Sequence, residues 1–405
     1  MGFSYWCATK MKVVTVLENS ITAGGGFNQA LNAILQMQLI CKGQFEFEVF
    51  TTKLENIAHL EKFGISAVVF SFSIVDKLLA KLSCNVWWQA IQGRIKLVGS
   101  FEKKLLARGC GLVYFVTPSV IPSALQRLNY IITVWDLCHR DMPEFPEVKN
   151  FTQFYARDNY YHNHLSPAVL VLADSVQLAD AISRRYGVDR ERVLPMPFAP
   201  APFLDSERAT DIDEVLKKYS LVEGYFFYPS QFWAHKNHIR ILEALLILNE
   251  SGIPFTVVFA GGDQGNRGYI ERFVKQHNLN NQVRFLGFVD AEDMRGLYEG
   301  CIAVVMPTYF GPTNLPPLEA WMIGKPLIYP LQFVSQAGNA AILIDPDDAY
   351  DLADAMKACL NKQLCEEMAM KGRMRLQEID LRRKESEGEL LVRLIQFEKR
   401  LRCWS

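Results

Sequence analysis

Val193–Asp205 reads VLPMPFAPAPFLD, with prolines at 195, 197, 200 and 202. Proline fixes φ and offers no backbone N–H, so this density predicts an extended linker rather than a helix or an interior strand. On both sides of it, short apolar β-branched runs alternate with segments of helical period. The strand candidates before the linker are Val13–Leu17, Phe45–Phe50, Ala67–Phe72, Leu112–Val116, Tyr130–Val134 and Val169–Ala173. After it they are Tyr225–Tyr228, Thr256–Phe259, Val283–Leu286, Ala303–Met306, Pro326–Tyr329 and Ala341–Ile344. Such alternation is the mark of a parallel sheet covered by helices. The expectation is two doubly wound α/β domains, residues 1–197 and 198–376, joined by a proline-rich hinge. Residues 377–405 are charged and periodic, with few turn residues, and predict a terminal helix crossing back to the N-terminal domain.

The bulk composition agrees with this division. A chain of 405 residues exceeds one ordinary core, and 50% hydrophobic with 21% charged residues is globular. Lys and Arg number 43 against 44 for Asp and Glu, a net charge of -1. Nothing in that balance supplies a global field for nucleic acid, so an anion site must be local. The nine cysteines form no CxxC pair, no secretory signal opens the chain, and no apolar run reaches transmembrane length. These features predict a cytoplasmic protein. Between Lys77 and Arg108, seven basic residues (Lys77, Lys81, Arg94, Lys96, Lys103, Lys104, Arg108) surround Trp87 and Trp88. That stretch reads either as a peripheral contact with the inner face of a membrane or as a solvated helix face over buried tryptophans.

Met306–Pro326, MPTYFGPTNLPPLEAWMIGKP, carries the strongest chemical signal. A strand ends at Pro307, a loop of small residues follows, and a helix begins near Pro316 with Glu319 in its first turn. A helix N-terminus favours an anion, and an adjacent carboxylate can either offset the helix dipole or hold ribose hydroxyls. The segment resembles the donor motif of the family-4 retaining glycosyltransferases, in a mannosyltransferase-like bacterial branch with FGPTN-[IL]-PPLEAW. Four more stretches resemble that branch in the same order: VWDLCHRDMPEFPEV (Val134–Val148), LADSVQLADAISRRYGVDRERVLPMPFAP (Leu172–Pro200), FFYPSQFWAHKNH (Phe226–His238) and VRFLGFVDAEDMRGLY (Val283–Tyr298). The fold this implies is GT-B: two Rossmann-like domains facing across a cleft, with the C-terminal helix packed back on the first.

The resemblance also implies roles. Lys236 would neutralise the donor diphosphate, with the neutral Gln231 at the place of the family's arginine and His235 as a helper. Glu319 matches the ribose-holding glutamate. The family's partner glutamate, eight residues earlier, is here Gly311, leaving Thr313, Asn314 and the backbone at Leu315 to meet the donor sugar. The alternative is an altered activity, and Gly311→Ala is expected to be tolerated if that position has no side-chain role. Gly262, Phe288 and Val289 match loops that face the donor, Phe288 and Val289 at the base. Gly25 and Gly26 follow the first strand, where donor phosphate and acceptor meet. Asp136 and His139, after the strand Tyr130–Val134, are the catalytic candidates of the first domain, and Arg140 and Arg157 the candidates for an anionic acceptor.

The resemblance implies retaining transfer from a nucleotide sugar, GDP-mannose slightly favoured and UDP-sugars open, to a glycan or lipid-linked glycan, with no cofactor and no metal. Rival readings are a nucleotide-sugar 2-epimerase of the same architecture and a non-catalytic nucleotide-sugar-binding protein. A metal-dependent reading would rest on Asp211-Ile212-Asp213, which looks instead like a helix cap.

Overall fold

The structure, a computed structural model, describes residues 10–21, 24–83, 87, 88, 91, 94, 97–205, 210–311 and 313–404. Lys96 of the basic stretch and Pro312 of the FGPTN loop lie outside them. The chain divides into two compact units.

The first unit holds β1 (Lys12–Leu17), β2 (Glu46–Thr51), β3 (Ala67–Val69), β4 (Cys110–Phe115), β5 (Asn129–Val134), β6 (Leu170–Ala173) and β7 (Val193–Pro195). They form one parallel sheet in the order β3-β2-β1-β4-β5-β6-β7. The proline-rich stretch was expected to be linker from Val193 on. Its first three residues are instead an edge strand, with Pro195 opposite Ala173. An edge tolerates proline because no further strand needs its N–H.

The second unit holds β8 (Tyr225–Pro229), β9 (Val257–Ala260), β10 (Val283–Gly287), β11 (Cys301–Val305), β12 (Leu327–Pro330) and β13 (Ile342–Ile344). Its parallel order is β10-β9-β8-β11-β12-β13, the same winding as the first sheet's inner strands. Tyr225, Phe226, Phe227 and Tyr228 are all fully buried, as a central strand covered on both faces requires. In each sheet the strand order reverses beside the first strand of the unit, between β1 and β4 and between β8 and β11. Loops leaving the C-terminal ends of such a pair diverge and open a crevice where open α/β sheets bind ligands.

Two unit boundaries differ from the sequence reading. Cys138–Phe154, expected inside the first domain, belongs to the second unit. The terminal helix is longer than expected, Lys362–Leu401, and changes unit at Arg383. Beyond that point Leu390, Leu394 and Phe397 are buried in the core of the first unit, with Val13 and Leu17 of β1.

Candidate functional site

In the second unit, the loops after β8 and β11 flank the reversal point. After β8 the chain runs through Gln231 to a short 3-10 turn, Ala234–Lys236. Tyr309 donates its N–H to the carbonyl of His235 at 2.9 Å, and Thr308 donates its hydroxyl to the same oxygen at 3.3 Å. The two loops are therefore bonded to one another. Lys236 Nζ reaches across and donates to Asn314 Oδ1 at 3.3 Å. Asn314 is the N-cap of the helix Leu315–Ile323.

That helix N-terminus is poorer in donors than the sequence suggests. Pro316 and Pro317 carry no N–H, and the N–H of Asn314 donates to Gln336 Oε1 at 3.1 Å. Leu315 is then the residue of the first three helical positions that can offer a backbone donor. The positive end of the helix dipole persists, but the directed bonds to an anion fall mainly to Lys236.

Three expectations, for Glu319, Asn314 and Gly311, need correction. Glu319 lies beyond the first turn of Leu315–Ile323 and is 5% exposed. Its carboxyl accepts from the Tyr298 hydroxyl and from the backbone of Ala201, and burial pushes its pKa up to about 7 despite those bonds. Asn314 does not present its amide outward. Its Nδ2 protons go to Gly311 O at 2.9 Å and Tyr329 Oη at 2.7 Å, while Oδ1 receives Lys236. Gln231 Oε1 accepts the Trp233 indole N–H at 3.1 Å, which uses the amide's oxygen and not the Nε2 protons that a phosphate oxygen would take. Gly311 has φ +100, and a Cβ there would lie 2.6 Å from Asn314 Oδ1. The position is glycine for a steric reason, and Gly311→Ala is not expected to be neutral. Thr313 is half-buried beside it.

The state of Glu319 has a measurable consequence. A carboxyl whose pKa rises from 4.5 unfolded to about 7 folded keeps its proton better in the folded chain. Between those values the folded state binds more protons, so this group's contribution to stability falls as pH rises through the window. Glu319→Gln is expected to flatten the loss of urea resistance between about pH 5 and about pH 8. A wild-type slope in that variant would sink the assignment.

His235 is held by Glu147, from the segment Cys138–Phe154. Glu147 Oε1 accepts the backbone N–H of His235 at 3.0 Å and also bonds its Nδ1. The imidazole lies flat on Phe310, with ring centroids 4.1 Å apart and planes 2° apart. Burial raises the Glu147 pKa, and the His235 bonds outweigh it and leave it below the usual carboxylate value. Sequence reading named His235 only as a helper and did not find Glu147, Tyr298, Tyr329 or Gln336.

Further loops meet β8's at neighbouring strand ends. Phe232 donates its N–H to Gly262 O at 3.0 Å, and Gly261 donates to Gly287 O at 2.7 Å. A Cβ on Gly261 would come within 2.2 Å of Ser230 O, so glycine is what lets these loops touch. Phe288 stands exposed on this rim and Val289 is buried beside it.

In the first unit, Gly24 (φ 60) caps the helix Gly25–Cys41, and a Cβ on Gly26 would touch Asn19 and Trp135 at 3.4 Å. Asp136 follows β5. Both its carboxylate oxygens accept from Arg157 Nη2 at 2.6 Å, so the catalytic and acceptor candidates are one ion pair. His139 was expected at the strand end with Asp136. It instead sits on the turn Cys138–Asp141, fully buried against Phe154, in the second unit, with Arg140 half-buried next to it. Asp211 caps the helix Ile212–Lys218, its Oδ1 accepting the N–H of Asp213 at 2.9 Å.

Residues 212–375 match the family model of the group 1 glycosyl transferases. The matched region spans β8 to β13 and so contains Lys236, Asn314 and Glu319. Over 248 residues the chain is 24% identical to the O-antigen chain mannosyltransferase B of Escherichia coli, covering 60% of this chain and 63% of that protein. Over 190 residues it is 25% identical to the O-antigen chain mannosyltransferase RfbU of Salmonella typhimurium, covering 46% and 50%. The matches thus span about half to under two thirds of those relatives. A structure of Anabaena HepE with UDP and glucose superposes with a TM-score of 0.68 at 17% identity, over 94% of this chain and 99% of that one. A Rickettsia africae glycosyltransferase gives 0.68 at 14%, over 98% and 100%. Those likenesses show the fold: two parallel-sheet Rossmann-like domains of the GT-B kind.

Proposed function

We propose that the chain is a family-4-type retaining hexosyltransferase that works without a metal. It transfers a sugar from a nucleotide sugar, GDP-mannose favoured, to a glycan or lipid-linked glycan in surface polysaccharide assembly. One observation carries the reading: the Lys236 ammonium is tied to the N-cap of Leu315–Ile323 at the reversal point of the second sheet. A diphosphate placed there gains charge stabilisation as it leaves, the dominant protein contribution when the leaving group itself assists the acceptor's deprotonation. The names of the Escherichia coli and Salmonella relatives support mannose and O-antigen assembly as the substrate class.

A thermal-shift panel of GDP-, UDP-, ADP- and dTDP-sugars tests it. A donor at about 100 times its Kd stabilises by about 2.7 kcal/mol, several degrees for a chain of this kind. Absence of any shift across the panel would remove the donor assignment. Sugar isomerised with no acceptor present would turn the reading to an epimerase.

The same proposal includes a peripheral membrane contact through the first unit. No helix among the described residues is long and apolar enough to cross a membrane. On the helix Ile74–Ser83, Ile74, Val75 and Leu78 are exposed beside Lys77 and Lys81, and Trp87 is 83% exposed. Trp88 is half-buried against the core, Lys104 lies over Phe70, and Arg108 pairs with Glu48 at 2.6 Å, so part of the stretch is structural. Co-sedimentation with phosphatidylglycerol vesicles, reduced by Ile74→Glu and absent with phosphatidylcholine, is the expected result. Equal recovery with both lipids would exclude an electrostatic contact.

A further inference from the structure

We propose that Gln336 is a positioning residue for the donor diphosphate: with Tyr329 it fixes Asn314, and Asn314 holds the Lys236 ammonium at the start of the helix Leu315–Ile323. The inference rests on Lys236 meeting that diphosphate.

Gln336 lies on the short helix Val334–Ala337 after β12 and is 5% exposed. Its side chain pairs twice with the backbone of Asn314. Oε1 accepts the Asn314 N–H at 3.1 Å, and Nε2 donates to the Asn314 carbonyl at 2.9 Å. A backbone N–H can only donate and a carbonyl can only accept, so the orientation of the Gln336 amide is dictated. The pair acts as a strand neighbour would, pinning the residue that begins the helix at φ -120, ψ 151.

Tyr329, fully buried on β12, closes the circuit. Its hydroxyl donates to Gln336 Oε1 at 2.8 Å and accepts from Asn314 Nδ2 at 2.7 Å. Gln336 Oε1 then has both lone pairs engaged, and Asn314 Nδ2 has both protons engaged, the second on Gly311 O. With the Asn314 nitrogen committed, its oxygen is the atom turned to Lys236 Nζ. The circuit is itself anchored: Arg375 of the long terminal helix donates to Gln336 O at 2.9 Å and to Ser335 O at 2.8 Å.

A buried network with every member satisfied specifies one geometry, and removing one member leaves several polar groups stranded. The consequence is local to the diphosphate. The nucleoside end of a donor would meet other loops and would not read this circuit.

The test compares UDP and GDP with uridine and guanosine by isothermal titration. Gln336→Leu is expected to weaken the better diphosphate by about 30-fold while nucleoside affinity stays within about 2-fold. Tyr329→Phe, which removes one oxygen and keeps the ring, is expected to give a smaller diphosphate-specific loss, about 5-fold, and carries the test if Gln336→Leu does not fold. Gln336→Glu, which keeps the accepting oxygens and loses the Nε2 donor, is expected between Gln336→Leu and wild type. The double variant Lys236→Ala/Gln336→Leu is expected to bind like Lys236→Ala alone. Wild-type diphosphate affinity in Gln336→Leu and Tyr329→Phe, an equal loss for nucleosides, or additive losses in the double variant would each overturn the inference. Wild-type diphosphate affinity in Lys236→Ala itself marks a different failure, that of the donor-site reading.

Discussion

Lys236→Ala is expected to lower the kcat/KM for sugar transfer by about 100- to 1000-fold, about 3 to 4 kcal/mol of transition-state stabilisation, while leaving the melting temperature nearly unchanged. The size follows from how few donors share its task. The helix N-terminus beside it has prolines at two of its first three positions, and the N–H of its N-cap is bonded to Gln336. Gln231, in the same loop, can donate from Nε2 but brings no charge. Charge on a leaving diphosphate would thus be met mainly by one ammonium. The fold would notice little, because the Lys236 bond to Asn314 is a 3.3 Å contact with a neutral amide oxygen, and Asn314 keeps its other four bonds. Lys236→Arg keeps the charge but replaces a compact ammonium by a planar fork, and is expected to recover part of the rate. Turnover within a few-fold of wild type in Lys236→Ala would show that the diphosphate is met elsewhere.

The architecture was legible because periodicity carries it. Runs such as Tyr225–Tyr228 and Cys301–Val305 are continuous apolar segments bounded by turns, which is how strands buried on both faces look in sequence. β7 was not legible for the opposite reason. It has three residues, ends in Pro195 and sits at a sheet edge, where pairing to one neighbour suffices and the sequence constraint is weak. The placement of Cys138–Phe154 was missed because order along the chain does not say what a segment touches. Phe145 and Glu147 reach Phe310 and His235, which lie far along the chain.

At the site, Lys236 and Asn314 could be nominated because they lie in stretches that resemble family-4 glycosyltransferase motifs, and the structure puts each after a strand at the reversal point. What their side chains do could not be read. Gln336 lies on a four-residue helix with no periodic relation to Asn314, and nothing in the sequence marks its amide as that residue's partner. His139 shows the reverse error. A histidine near a strand end looked catalytic, yet its ring is enclosed against Phe154. A free-standing polar residue in sequence carries no information on burial, and burial decides what its nitrogen atoms can reach.

Gly311 brings these strands together in the second large expected effect. Gly311→Ala is expected to lower stability by about 2 to 4 kcal/mol and to weaken donor binding by at least about 10-fold. Two costs combine. A residue with a Cβ is strained at φ +100, by about 1 to 3 kcal/mol. The new methyl would also lie 2.6 Å from Asn314 Oδ1 and 2.8 Å from Nδ2. A flexible side chain would swing aside at little cost, but this amide is bonded to Gly311, Tyr329 and Lys236. Moving it takes from the Tyr329 hydroxyl the Nδ2 donor that it accepts, leaves that hydroxyl its bond to Gln336, and releases Lys236. Gly311→Glu, which places an acid where the family-4 motif carries one, meets the same contact and is expected to bind donor no better than Gly311→Ala. Gly388→Ala, on the terminal helix, is the control: its Cβ meets nothing within 4 Å, and no loss of stability or of donor affinity is expected. Unfolding midpoints and donor Kd values for the three variants, measured together, decide the matter. If Gly311→Ala matches Gly388→Ala in both, the loop is not locked and Asn314 has another place to go.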